Sequence, residues 1–128
     1  MVVDTSVLVA ILLGEPERFE FYEKMRLARN VQISAVNYVE CAIVLMRYFG
    51  PAAEERIDRL LREAGIAVTA VGVEHTMYAI AAFRQYGKGR HPAGLNFGDC
   101  FSYALAKSAG EPLLFKGSDF SRTDVRVG

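Results

Sequence analysis

Four acidic side chains stand where they can act together: Asp4, Glu40, Asp99 and Asp119. None has a histidine or cysteine neighbour at metal-ligand spacing. An oxygen-only set of this kind selects a hard cation, magnesium or manganese rather than zinc. A cation held by three or four carboxylates can activate water and neutralise charge developing on a phosphodiester. Carboxylates alone repel phosphate, so such a pocket takes a phosphate ester only with its metal.

Glu40 has the most telling setting. The segment AVNYVECAIVLMRYF is apolar nearly throughout, and its polar exceptions Asn37, Glu40 and Arg47 lie at offsets of three and seven, along one helical stripe. A carboxylate with so little polar cover faces a polar cleft or loses several kcal/mol to desolvation, and a bound cation removes that loss. Asp99 and Ser102 form a similar stripe on FGDCFSYALAKSAG. Each acid also has a structural reading. Asp4 can cap the helix that follows it, and Asp99 suits the positive end of a helix. Asp119 fits a Gly-Ser-Asp turn, and Glu40 can pair with Arg47. Taken singly these readings suffice; they do not explain why all four acids fall at compatible places.

The elements that must position them alternate between strand and helix. Residues 1–3 predict a buried strand and 5–13 a helix apolar all round. Gly14 and Pro16 punctuate, and a more charged helix covers 17–29. A second strand at 31–33 precedes a long helix that ends at Phe49, before Gly50 and Pro51. An amphipathic helix at 52–64 stops at Gly65. A third strand spans 66–71, a helix 74–86, and the loop GKGRHPAGLN leads into a helix over 97–109 with Asn96 as cap. A fourth strand at 113–115 is followed by GSDF and a short fifth strand at 125–127. Strands separated by helices imply a parallel sheet covered on both faces, with right-handed crossovers. The expected fold is thus α/β, three layers around a parallel sheet of four to five strands, formed by residues 1–128 as a single domain. Ligands of such sheets bind beyond the carboxyl ends of the strands, which is where Asp4 and Asp119 fall.

Composition narrows the function classes. The chain has 128 residues, 52% of them hydrophobic, which is globular rather than disordered. Its 15 basic and 15 acidic residues cancel, so any nucleic-acid contact must be local, made through a dimer groove or through metal. Cys41 and Cys100 lack zinc spacing and read as core residues, which suits a reducing cytoplasm. The start MVVDTSVLVAILLGE has no basic leader and is too short to cross a bilayer, which takes about 20 residues, so no membrane association is expected.

The stretch MVVDTSVLVAILLGEPE, the Glu40 helix after ISA, the run YGKGRHPAGLNFGDCFSYALAKSAGEPLLFKGSDF and the terminal TDV resemble the PIN-domain ribonucleases, and among them the VapC toxins of type II toxin–antitoxin systems. The resemblance spans essentially the whole chain, and LNFGDCFSYALAK and LLFKGSDF are its most specific segments. It implies that Asp4, Glu40 and Asp99 are the principal acids and Asp119 the fourth, with Ser6 and Ser118 as small polar groups around the metal. It also implies Mg2+- or Mn2+-dependent endoribonuclease activity leaving a 5′ phosphate, a homodimer, and inhibition by a cognate VapB-like antitoxin. In that family a basic side chain of the antitoxin usually competes for the acids.

Lys88 and Arg90, with His91, lie just ahead of Asp99 and are candidates for contact with RNA phosphates, or are simply a solvated loop. His75 reads as a surface or packing residue rather than a general base, and Tyr86 and Tyr103 read as core packing or as platforms for stacked bases. A dehalogenase-type phosphatase would need a second acid where Ser6 stands. A response-regulator receiver would need an acid after the third strand, where Gly72 stands. The nearer alternatives are an RNA-processing PIN nuclease outside toxin–antitoxin systems and a catalytically silent PIN binding module.

Overall fold

In the computed structural model, which describes residues 1–128, four short strands alternate with six helices. The strands are β1 (Val2–Val3), β2 (Val31–Ser34), β3 (Ile66–Thr69) and β4 (Leu113–Leu114). The helices are α1 (Thr5–Leu12), α2 (Arg18–Leu27), α3 (Ala35–Phe49), α4 (Ala53–Ala64), α5 (Val73–Tyr86) and α6 (Phe97–Ala109). All strands run parallel in the order β3-β2-β1-β4.

Side-chain alternation along the strands divides the interior into two cores. Val3, Ile33 and Leu114 pack with α1 to α4, whereas Val2 and Leu113 pack with α5 and α6. The sheet is therefore the middle of three layers, as expected for strands that are apolar on both faces. The chain steps outward from β1 through β2 to β3, then crosses back to place β4 on the other side of β1. That reversal makes a switch point between the carboxyl ends of β1 and β4.

Local chemistry sets the turns into and out of the sheet. Asp4 is the sole residue between β1 and α1 and caps that helix. Ser34, the last residue of β2, caps α3 through its hydroxyl. Helices α4 and α6 both end on a glycine with φ of +66°, Gly65 and Gly110, where a side chain would be strained.

Two strand expectations are corrected. The third strand stops at Thr69 rather than reaching residue 71, because its partner Ser34 is the end of β2 and the neighbouring chain then turns helical. The tail at 125–127 does not form a fifth strand. Only Val127 bridges Leu113, since the two-residue β4 offers no longer ladder. No helix is long and apolar enough to cross a membrane.

Candidate functional site

Asp4 leaves the end of β1 and is buried at the switch point. Its backbone N–H donates to the Leu114 carbonyl of β4 at 2.9 Å. Both carboxylate oxygens are held: Oδ2 accepts from the Ser6 N–H at 3.0 Å and Oδ1 from the Ser102 hydroxyl at 2.5 Å. The capping and the site readings of Asp4 are thus compatible, since one oxygen caps α1 while the side chain as a whole is fixed against α6.

Glu40 is half-buried on α3 and accepts the Thr5 hydroxyl on Oε1 at 2.5 Å. Arg47 does not pair with it; two helical turns further along the same stripe, about 10 Å away along the axis, that side chain is exposed to solvent. Asp99 stands in the first turn of α6 and shares a capping box with Asn96. The Asn96 N–H donates to Asp99 Oδ2 at 3.0 Å, and the Asp99 N–H donates to Asn96 Oδ1 at 2.9 Å. Asp119 is exposed beyond β4, just before the 3-10 turn Phe120–Arg122. The loop leading to it is tied down at Lys116, whose N–H donates to the Ser6 hydroxyl at 2.9 Å. Lys116 Nζ pairs with Glu15 and lies 2.8 Å from Glu17 Oε2, a charge contact without hydrogen-bond geometry.

The structure brings the four acids into one electrostatic neighbourhood. Burial pushes the Asp99 carboxyl up to about 7; the Asn96 N–H opposes this, and the charges of Asp4, Asp119 and Glu40 add to it. The Cys41 thiol is pushed up to about 12, by burial first and then by Glu40 and Asp4. No lysine, arginine or histidine forms an ion pair with any of the four acids. As they stand, no three His, Cys, Asp or Glu side chains form a group that could hold a metal ion. Repulsion reaches across several ångströms, whereas ligation needs oxygens at about 2.0–2.6 Å from one point. The acids therefore form a loose cluster of like charge rather than a closed cage. Its donors are all oxygens and its charge is uncompensated, which fits a hard divalent cation.

Other expected residues fall near these acids or away from them. Ser6 contributes its N–H to Asp4 and turns its hydroxyl to Lys116, while Thr5 and Ser102 are the hydroxyls that touch the acids. Ser118 is exposed, and its carbonyl accepts the Ser121 hydroxyl. Lys88 and Arg90 are exposed on the loop closed by the Gly87–Leu95 bridge, with Arg90 over the Phe83 ring. Tyr86 and Tyr103 are buried, and the Tyr103 hydroxyl donates to Asp124, so packing accounts for both. His75 accepts the Gly72 N–H at the start of α5. Cys41 and Cys100 are free and buried, as core residues should be.

The sequence reading passed over Thr5 as a partner of Glu40. A hydroxyl directly after a strand-end aspartate was the available signal, but its target lies 35 residues away.

Known proteins resemble this chain over nearly its whole length. Residues 1–126 match the family model described as PIN domain. A protein of Mycolicibacterium smegmatis named Ribonuclease VapC is 50% identical over 126 residues, covering 98% of this chain and 97% of that protein. Ribonuclease VapC30 of Mycobacterium tuberculosis is 46% identical over 125 residues, covering 98% and 95%. Among solved structures, Mycobacterium tuberculosis VapC20, described as a sarcin-ricin loop cleaving toxin, superposes with a TM-score of 0.77 at 18% identity, covering 97% of this chain and 95% of that one. VapBC2 from Rickettsia felis, bound to a promoter DNA fragment, gives 0.75 at 14% identity, covering 98% and 94%. With a family match over nearly its whole length and close relatives named as VapC ribonucleases, the chain belongs to the PIN-domain family.

Proposed function

We propose that this chain is a divalent-metal-dependent endoribonuclease that acts as the toxin of a toxin–antitoxin pair. The observation that carries the reading is the cluster of acids without basic partners near the switch point, in a chain whose close relatives are named ribonucleases. Asp4, Glu40, Asp99 and Asp119 are the residues that would hold Mg2+ or Mn2+. When bound, the ion neutralises the cluster and makes water a competent nucleophile near neutral pH.

The chain's own residues do the positioning. Ser102 and the Ser6 N–H fix Asp4, Thr5 orients Glu40, and Asn96 holds Asp99 at the helix start. Asp119 and Ser118 approach from the exposed loop after β4. Lys88 and Arg90, exposed on the loop ahead of α6, would meet phosphates flanking the scissile bond. Hydrolysis forms a bond from water oxygen to phosphorus and breaks the bond to the 3′ oxygen. The products are a 5′ phosphate and a 3′ hydroxyl, which takes up a proton.

The same cluster suits inhibition by a VapB-like antitoxin, because one basic side chain inserted among the acids would replace the cation. The working form is a homodimer, and the compartment a reducing cytoplasm.

Incubation of the purified protein with a cellular RNA pool tests the reading, using Mg2+ or Mn2+, then EDTA, beside Asp99→Asn. Metal-dependent cuts with 5′-phosphate ends, lost in the variant, are expected. Equal cutting by Asp99→Asn would sink the site. An absence of cutting together with an absence of metal binding would favour a silent binding module.

A further inference from the structure

Glu40 meets the other acids across a seam between α3 and α6, and at that seam α6 presents a glycine. Gly98 is buried in the first turn of α6, directly before Asp99. A Cβ built on it would overlap the Glu40 carboxylate, whose carbon and two oxygens are the nearest atoms it would meet. Glycine weakens a helix relative to alanine, so helix stability alone would select alanine here.

The close approach is held by Asn37, one turn before Glu40 on α3 and 0% exposed. Its Nδ2 donates to the Gly98 carbonyl at 2.9 Å and lies 3.4 Å from the Thr5 hydroxyl. That hydroxyl has one proton, and the 2.5 Å contact to Glu40 Oε1 takes it. Asn37, Thr5 and Glu40 thus form a chain of amide, hydroxyl and carboxylate. Asn37 Oδ1 is buried without a partner. An amide retained only to fill space would not carry that loss, since a leucine of similar size avoids it.

We infer that Asn37 and Gly98 are positioning residues: Asn37 draws the start of α6 against α3, and the missing side chain at Gly98 leaves the gap that the Glu40 carboxylate occupies. The seam thereby sets where Glu40 stands relative to Asp99 and Asp4. Its consequence for metal rests on the function proposed above; its geometry does not.

A double-mutant cycle in metal-free protein reads the geometry by itself. Gly98→Ala is made in the wild type and in Glu40→Ala, and urea midpoints are compared. Alanine should raise the midpoint where Glu40 is truncated, by helix propensity, and fail to raise it where the carboxylate is present. Equal effects in both backgrounds would overturn the inference.

Isothermal titration with Mn2+ reads the consequence. Gly98→Ala should bind Mn2+ about tenfold to a hundredfold more weakly, with a metal-free midpoint close to wild type because the Glu40 side chain can swing away. Asn37→Leu, which removes both donors at similar volume, should lose affinity to a comparable degree. Wild-type affinity in Gly98→Ala would overturn the positioning role. A wild-type protein that binds no Mn2+ and cuts no RNA would overturn the proposed function instead, and the metal-free cycle would still decide the seam.

Discussion

A carboxyl that loses water and gains three negative neighbours is costly to ionise, and Asp99 is in that position. Its folded value is pushed up to about 7, by burial first and then, against the pull of the Asn96 N–H, by Asp4, Asp119 and Glu40. In the unfolded chain it ionises near pH ~4. Between those values the folded protein keeps a proton that the unfolded chain has released. Metal-free stability therefore falls as pH rises through this window and levels off above about 7. Asp99→Asn keeps an oxygen for the Asn96 N–H and escapes that loss. Discounted for the solvent that still reaches this half-buried group, the variant should exceed metal-free wild type by about 1–2 kcal/mol near pH 8. The two should converge near pH 4. Urea unfolding at both pH values checks this, and a wild-type advantage near pH 8 would mark the carboxylate as a structural cap. Thr5 supplies a complementary case. Thr5→Val keeps the shape but strips the proton from Glu40, and should cost about 1 kcal/mol of stability and about tenfold in Mn2+ affinity, read by thermal unfolding and titration.

Helix α6 concentrates much of the site on one element. Asn96 caps it, Gly98 admits Glu40, Asp99 feels the charges of the other three acids and Ser102 holds Asp4. Asn96→Ala removes the side-chain half of the capping box. A loss of about 1 kcal/mol in stability is expected, together with weaker Mn2+ binding as the first turn loosens. Unchanged unfolding would show that the box does not define the helix start. This helix was legible in the sequence because Asn96 and Gly110 bracket it with the chemistry that starts and ends helices. The same holds for α1 after Asp4 and for α4 before Gly65. The strands were harder to delimit. A two-residue strand buried on both faces has no alternation to count, and the end of β3 depends on where its neighbour turns helical. The acids themselves stood out by type and by setting. Their orienting partners did not, because the bonds from Thr5 to Glu40 and from Ser102 to Asp4 join residues 35 and 98 positions apart. Arg47 misled for the converse reason: proximity in a helical stripe suggests a pair, yet the residue points to solvent.

At the scale of the molecule, opposite charges balance and apolar surface remains. The outer side of α5 exposes Val73, Met77 and Ile80 at 79%, 68% and 61%, at spacings that align them on one face. Phe97, 72% exposed at the start of α6, lines the hollows on both sides of it, one with Ile80 and Phe83 and the other with Val39 and Ile43 of α3. Soluble monomers rarely leave so much contiguous apolar area in water. Burial of these faces against a second copy is the arrangement the proposed homodimer provides. Sedimentation at micromolar concentration should then report a dimer. Because the driving force is apolar area rather than charge, the dimer should persist near 1 M salt, where the screening length is about 3 Å. Ile80→Glu would place an uncompensated carboxylate in the contact and should weaken association at least about tenfold while the monomer stays folded. Leu27→Glu, at a more exposed position on α2 outside these faces, should sediment as wild type. If Ile80→Glu also remains a dimer, the α5 face is not the contact. If the wild type sediments as a monomer, these faces are covered by something other than a second copy.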